Sequence, residues 1–179
     1  MAQKRGAKKK TYSRIEEAED LIKQLYEKHP DELWAVKPDN IVVYGVENKE
    51  RPESNNTLAK VKAIKGVEKA IMQDYNIPVQ YVVEIYWSDW NAWKEEVKQW
   101  ILFHELQHVS PDEDKIVKHD CEDFKIILDV AGLNWIKNHD KLPNLLQDDV
   151  KFDLSLRPNL VEYCEDNEIK SDSEDDEIE

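Results

Sequence analysis

Residues 101–124 read ILFHELQHVSPDEDKIVKHDCEDF and hold three of the chain's five histidines. Within them, His104-Glu105-Leu106-Gln107-His108 sets two imidazoles four residues apart. On an α-helix, residues at that spacing lie almost above one another, so both rings can reach one cation from the same side. Glu105 is turned partly off that line, and its carboxylate can meet a water on the cation without becoming a ligand itself. Zinc held by neutral nitrogens with one position open lowers the pKa of a bound water to about 7. A carboxylate beside it can take that water's proton during attack on a carbonyl and hand it to the leaving amine. Chance produces this spacing in a chain of such length on the order of one time in a hundred or less. The plainer alternative is a helix with two partly buried, hydrogen-bonded histidines.

An open catalytic zinc site takes three protein ligands. His119 follows His108 after a ten-residue loop, long enough to reverse the chain, and is the first candidate for the third. Asp120, Glu122 and Asp123 compete with it. Asp120 also suits a helix cap, Asp123 suits an acceptor for the second nitrogen of a ligand imidazole, and Cys121 reads as a packed side chain. Zinc is the expected ion because imidazole-rich, open sites favour it. Tyr163, Arg157 and His139 are the residues able to donate to a developing oxyanion, and the sequence does not rank them.

These residues need elements to hold them. SRIEEAEDLIKQLYEKHP predicts a first helix, with Ser13 and Glu16 as a capping box, apolar residues at helical spacing, and Pro30 beyond the end. His29, in its last turn, suits the helix dipole and a structural role. NIVVYGV (40–46) predicts a strand and 47–56 a loop. LAKVKAIKGV alternates lysine with apolar residues, which favours a strand, and PVQYVVEIYW (78–87) predicts another, with Val79, Tyr81, Val83, Ile85 and Trp87 on one face. Ser88 or Asp89 caps a helix running through WNAWKEEVKQWILFHELQHV, whose inward stripe is Trp93, Val97, Trp100, Ile101, His104 and His108. A second helix is expected over HDCEDFKIILDVAGLNW, with Phe124, Ile127, Leu128 and Ala131 inward and Gly132 near its end. Trp87, Trp90, Trp93 and Trp100 are read as core more than as a substrate pocket.

HELQH, the loop, HDCEDF and the G-x-x-W of Gly132 to Trp135 together resemble the putative phage metallopeptidase family. More distantly, they are similar to SprT-like proteases. The resemblance spans about residues 80–135 and implies a minimal zincin-like α+β domain. That domain would be a small mixed or antiparallel sheet packed on an active-site helix and a following helix, with the strand before the active helix offering its edge to an extended peptide. It implies His104, His108 and His119 as metal ligands, Glu105 as general base or acid, Zn2+ as cofactor and a protein or peptide as substrate. The extended motif HExxHxxGxxH is absent, since Val109, Ser110 and Pro111 follow HELQH, and this sets a metzincin aside.

The formal net charge of −14 is unevenly spread. The first ten residues carry five basic side chains and no acid, and the last fifteen carry nine acids against one lysine. Residues 1–10 and 164–179 are expected to be disordered tails around a single domain over 11–163. Two cysteines make no disulfide framework and suit a reducing cytosol. MAQKRGAKKK lacks the apolar segment of a secretory signal, and no run is long and apolar enough to span a bilayer. A cytoplasmic protein is expected, in the host cytoplasm if phage-encoded. The acidic body argues against a large DNA-binding face. The leading expectation is a zinc peptidase. Its rivals are a non-catalytic module stabilised by metal and a peptidase directed at DNA-associated proteins such as phage repressors, the basic amino end being the one hint of nucleic-acid contact.

Overall fold

Among the described residues, four strands form one mixed sheet: β1 (Tyr12–Arg14), β2 (Ile41–Val46), β3 (Ala59–Ala63) and β4 (Tyr81–Tyr86), in the spatial order β1-β2-β4-β3. The computed structural model describes residues 10–47, 57–112, 115–120 and 123–157. The tails expected over 1–10 and 164–179 lie outside these residues except for Lys10, as does most of the loop expected over 47–56. β1 runs antiparallel to β2, β2 parallel to β4, and β3 antiparallel to β4.

Alternation decides which way the sheet faces. Val43, Val61, Tyr81, Val83 and Ile85 are buried toward the helices, while Lys60, Lys62, Val82, Glu84 and Tyr86 lie on the opposite, more open face. The covering layer consists of α1 (Glu16–Lys28), which packs on β2, and α4 (Glu95–Gln107), which packs on β3 and against α1. Between them in sequence come α2 (Gly66–Asp74) and α3 (Trp87–Ala92), and α5 (Lys125–Ala131) follows. The result is an α+β domain.

Several expectations change in detail. Ser13 does not cap α1: it lies in β1, Ile15 precedes the helix, and Ile15 N–H donates to Val43 O, so the sheet claims the residues that a capping box would use. The helix expected over 90–109 is two helices. Trp93 and Lys94 are extended between α3 and α4, with ψ of 144° and 160°. The break lets Trp90 enter the core while Trp93 meets it edge-on at 6.5 Å. Neither Ser88 nor Asp89 therefore starts α4, whose first turn carries Glu95 and Glu96 where the helix dipole favours acids.

α4 is buried well beyond a single stripe, with Leu102, Phe103 and Leu106 as enclosed as Trp100 and Ile101. Residues 142–146 explain this, because they strap across the helix. Trp100 Nε1 donates to Pro143 O at 2.9 Å, and Leu145 N–H donates to Gln99 Oε1 at 2.8 Å. His29 belongs to the same seam: it is buried at the end of α1, with Nε2 2.8 Å from Leu145 O and its ring against Phe103 and Phe152. Trp90 and Trp100 are core, as expected.

The strand preceding α3 and α4 is β4, and it is internal to the sheet. The edge is β3. Between the parallel strands β2 and β4 the chain must cross over, and it does so through β3 and α2. The open edge beside α4 therefore belongs to the crossover strand.

Gly45 of β2 faces the helices, and a Cβ there would lie 2.4 Å from Trp87 Cε3 and 3.1 Å from Ile15 Cδ1. Gly45→Ala is expected to lower stability by about 1–3 kcal/mol through overpacking against the indole, measured as a shift in urea midpoint at constant slope.

Candidate metal centre

The two histidines of HELQH enter from the end of α4. His104 is in its last turn, and His108 is the residue after it, still with helical dihedrals (φ −75°, ψ −13°), so the rings keep their common side. The chain then turns back. Val109 and Ile116 form an antiparallel bridge, and Val117 N–H donates to His108 O at 2.9 Å. Tyr81 of β4 anchors the turn: its hydroxyl oxygen lies 3.1 Å from Ser110 O and 3.2 Å from Lys115 O, and its single proton serves one carbonyl at a time. This reversal returns His119 to the other two rings.

His119 Nε2 lies 3.1 Å from both His104 Nε2 and His108 Nε2, and one ligand atom from each ring falls within 4.8 Å of the others. Ligands about 2.0–2.1 Å from a tetrahedral zinc stand roughly 3.3 Å apart, so the spacing fits such an ion. Proton placement fits as well. His108 Nδ1 is 2.6 Å from Val117 O, which can only accept, so Nδ1 carries the proton and the neutral ring turns a bare Nε2 to the centre. His104 Nδ1 is buried, 2.9 Å from Asp123 Oδ1 and without another polar partner among the described residues.

Asp123 is gripped in turn. Phe124 N–H donates to its Oδ1 at 2.7 Å and Trp135 Nε1 to its Oδ2 at 2.8 Å. Burial works to raise its pKa, but the His104, Trp135 and Phe124 contacts outweigh burial and leave it below the usual carboxylate range. These contacts explain why α5 starts only at Lys125. Residues 119–124 were expected to be helical, but Phe124 is extended, with φ −71° and ψ 130°, and the helix begins after it. Asp120 does serve the helix start, accepting from Lys125 N–H at 3.0 Å. Cys121 and Glu122 lie outside the described residues.

Glu105 is 5 % exposed, and its Oε2 accepts from Val61 N–H of β3 at 2.8 Å. Burial raises its pKa, opposed by His104 and by the Val61 bond. The imidazoles and Glu105 line a cleft of about 600 Å³ whose apolar wall includes Leu58, Ile101, Ile116, Trp135 and Ile136. Neither Arg157 nor His139 lines it. The Arg157 guanidinium donates to Asp31 O at 2.8 Å, and His139 is a surface residue beside Asp140. Tyr163 lies outside the described residues. Two contributors escaped the sequence. Val61 acts through its backbone, which leaves no side-chain signal, and Trp135 was visible only as the last residue of G-x-x-W.

A match to the family described as putative phage metallopeptidase covers residues 10–148. The chain belongs to that family. The match takes in β1, the whole sheet, the three imidazoles and the strap across α4. No curated protein and no solved structure matches the chain. Membership carries metallopeptidase activity as the family's suggested function, a metal ion as its cofactor and a protein or peptide as its substrate. No helix among the described residues is long and apolar enough to cross a membrane.

Burial lowers the His108 pKa to about 4, with His104 and His119 adding to it and the Val117 bond opposing it. His119 is lowered too, chiefly by burial. In the metal-free protein the His108 ring is expected to stay neutral down to about pH 4, read from its ring resonances in an NMR titration. The unfolded chain protonates this residue near pH 6.5, so its contribution to stability is complete above that pH and is lost as the pH falls toward 4. Metal release is accordingly expected below the pH 6 threshold that an ordinary imidazole would set.

Proposed function

We propose that this protein is a zinc-dependent peptidase in which His104, His108 and His119 hold the ion and Glu105 carries the proton. The observation that supports it is the convergence of three imidazole Nε2 atoms at the floor of a cleft that also contains Glu105. When bound, zinc supplies Lewis acidity toward a carbonyl oxygen and a water acidic enough to react near neutral pH. The protein's own groups do the rest. Asp123 orients His104, and Val117 O orients His108, so that each ring presents a basic nitrogen without rotating. The Val61 bond holds Oε2 of Glu105, leaving Oε1 to take the proton of the attacking water and return it to the leaving amine. The raised pKa of Glu105 suits a group that must hold a proton between those two steps.

The outer edge of β3 is the proposed dock for the substrate backbone. Because Val61 N–H points to Glu105, Val61 is a non-hydrogen-bonded partner of Val83. Ala59, Val61 and Ala63 then turn their backbone groups outward, while Lys60 and Lys62 bond to β4. An extended peptide adding to that edge would lie along the cleft, next to Glu105.

Glu105→Gln is expected to keep one zinc per chain and to lower cleavage of denatured casein by about 10²–10⁴-fold. His104→Ala and His119→Ala are each expected to lose the metal on dialysis, read by elemental analysis. Casein cleavage by Glu105→Gln at the wild-type rate would overturn the assignment of Glu105. Zinc-dependent folding with no cleavage by any preparation would make the site a structural metal. Asp123→Asn is expected to weaken zinc binding by about 10–100-fold.

A further inference from the structure

The segment that walls the imidazole cleft also walls a second groove. Residues 57–60 line both, and the second, about 320 Å³, lies on the open face of the sheet. Lys10, Lys60 and Lys62 border it, with Glu84 as its one carboxylate and Tyr86 beside them. Lys62 pairs with Glu84, and the Lys10 ammonium lies 5.8 Å from the Tyr12 ring centre. Lys60 is exposed. A protein of net charge −14 thus keeps a locally cationic strip along its edge strand, next to the candidate active site.

We propose that this strip selects peptide substrates with acidic side chains next to an apolar one. This rests on the peptidase reading and on strand addition to β3. Successive side chains of a strand point to opposite faces. In a peptide paired with the outer edge of β3, residues pointing toward the helices enter the cleft lined by Ile101, Trp135 and Ile136. Their neighbours, one position before and after, emerge on the open face beside Lys60 and Lys62, where opposite charges across a strand pair attract. Both preferences follow from one register: the apolar wall reads one parity of the substrate and the lysines read the other. A nucleic acid would meet the same lysines. The outward-facing backbone groups of Ala59 and Ala63, however, match the main chain of an extended peptide, which a nucleic acid lacks.

The test is a binding measurement that needs no chemistry. Zinc-loaded, full-length Glu105→Gln protein is titrated, by fluorescence anisotropy, into three labelled peptides, Ser-Gly-X-Leu-X-Gly-Ser with X as Asp, Asn or Lys. The Asp peptide is expected to bind about fivefold or more tighter than the Lys peptide at low salt, with the gap narrowing as salt rises. Adding Lys60→Glu, or Lys60→Glu with Lys62→Glu, is expected to reverse the order. The single change leaves the Lys62–Glu84 pair intact should the double variant fold poorly, and Lys23→Glu on α1 controls for net charge. Equal binding of the three peptides, no binding of any, or a preference that survives Lys60→Glu would overturn the proposal. So would tight binding of a fifteen-residue oligothymidylate that Lys60→Glu abolishes while the peptides stay undiscriminated. Absence of casein cleavage by the wild type would instead strike the peptidase reading, because peptide binding is scored separately.

Discussion

Bare imidazole nitrogens repel one another at 3.1 Å unless a cation or a proton lies among them. Here His119 Nε2 sits at that distance from both His104 and His108. Such a grouping persists only where the surroundings hold each ring from behind. Val117 O holds His108, and Asp123 holds His104 while being held itself by Trp135 and by the Phe124 N–H. Burial depresses the pKa of His108 and His119, which keeps a second proton off each ring and leaves one nitrogen lone pair on each for a cation. A pre-arranged site of this kind spends little of a metal's binding energy on ordering its ligands.

Much of the domain serves this arrangement. α4 lies between the sheet and the strap of residues 142–146, with Trp100 and Gln99 tying it to that strap. Tyr81 reaches from β4 to the turn that brings His119 back, so a core strand and a surface loop share one phenol. The bond from Val61 N–H to Glu105 joins the edge strand to the carboxylate proposed to carry the proton. A peptide seated on β3 would therefore lie against the same strand that positions the carboxylate. Substrate alignment and proton transfer would share one rigid element, as preorganised sites require.

Different elements were legible to different degrees, for identifiable reasons. β2, β3 and β4 showed in the sequence because alternation records a sheet buried on one side. α1 showed because its apolar residues repeat at helical spacing. Its cap did not, because Ile15 bonds to β2 across the sheet. α2 went unread because its first residues, Gly66 and Val67, fall within LAKVKAIKGV, whose lysine–apolar alternation favours a strand, and because its apolar residues Val67 and Ile71 stay outside the core. The break at Trp93 and Lys94 went unread because both residues are compatible with a helix, and only the packing of Trp90 requires the chain to bend there. Asp123 as a partner for a ligand ring was anticipated from ion chemistry. That it would also unwind the start of the following helix was not.

The sequence by itself determined two imidazoles, one carboxylate and their local geometry. HELQH on a helix places two rings on one side with a carboxylate beside them, because helical periodicity is a local property of the backbone. The strand pattern and the α+β class followed from equally local periodicities. Tertiary structure alone decided that His119 meets the other two nitrogens, that β3 and not β4 is the edge strand beside α4, and that a backbone N–H anchors Glu105. Each of these depends on contacts between residues far apart in the chain. Their partners include main-chain groups, which every residue carries and no sequence pattern marks.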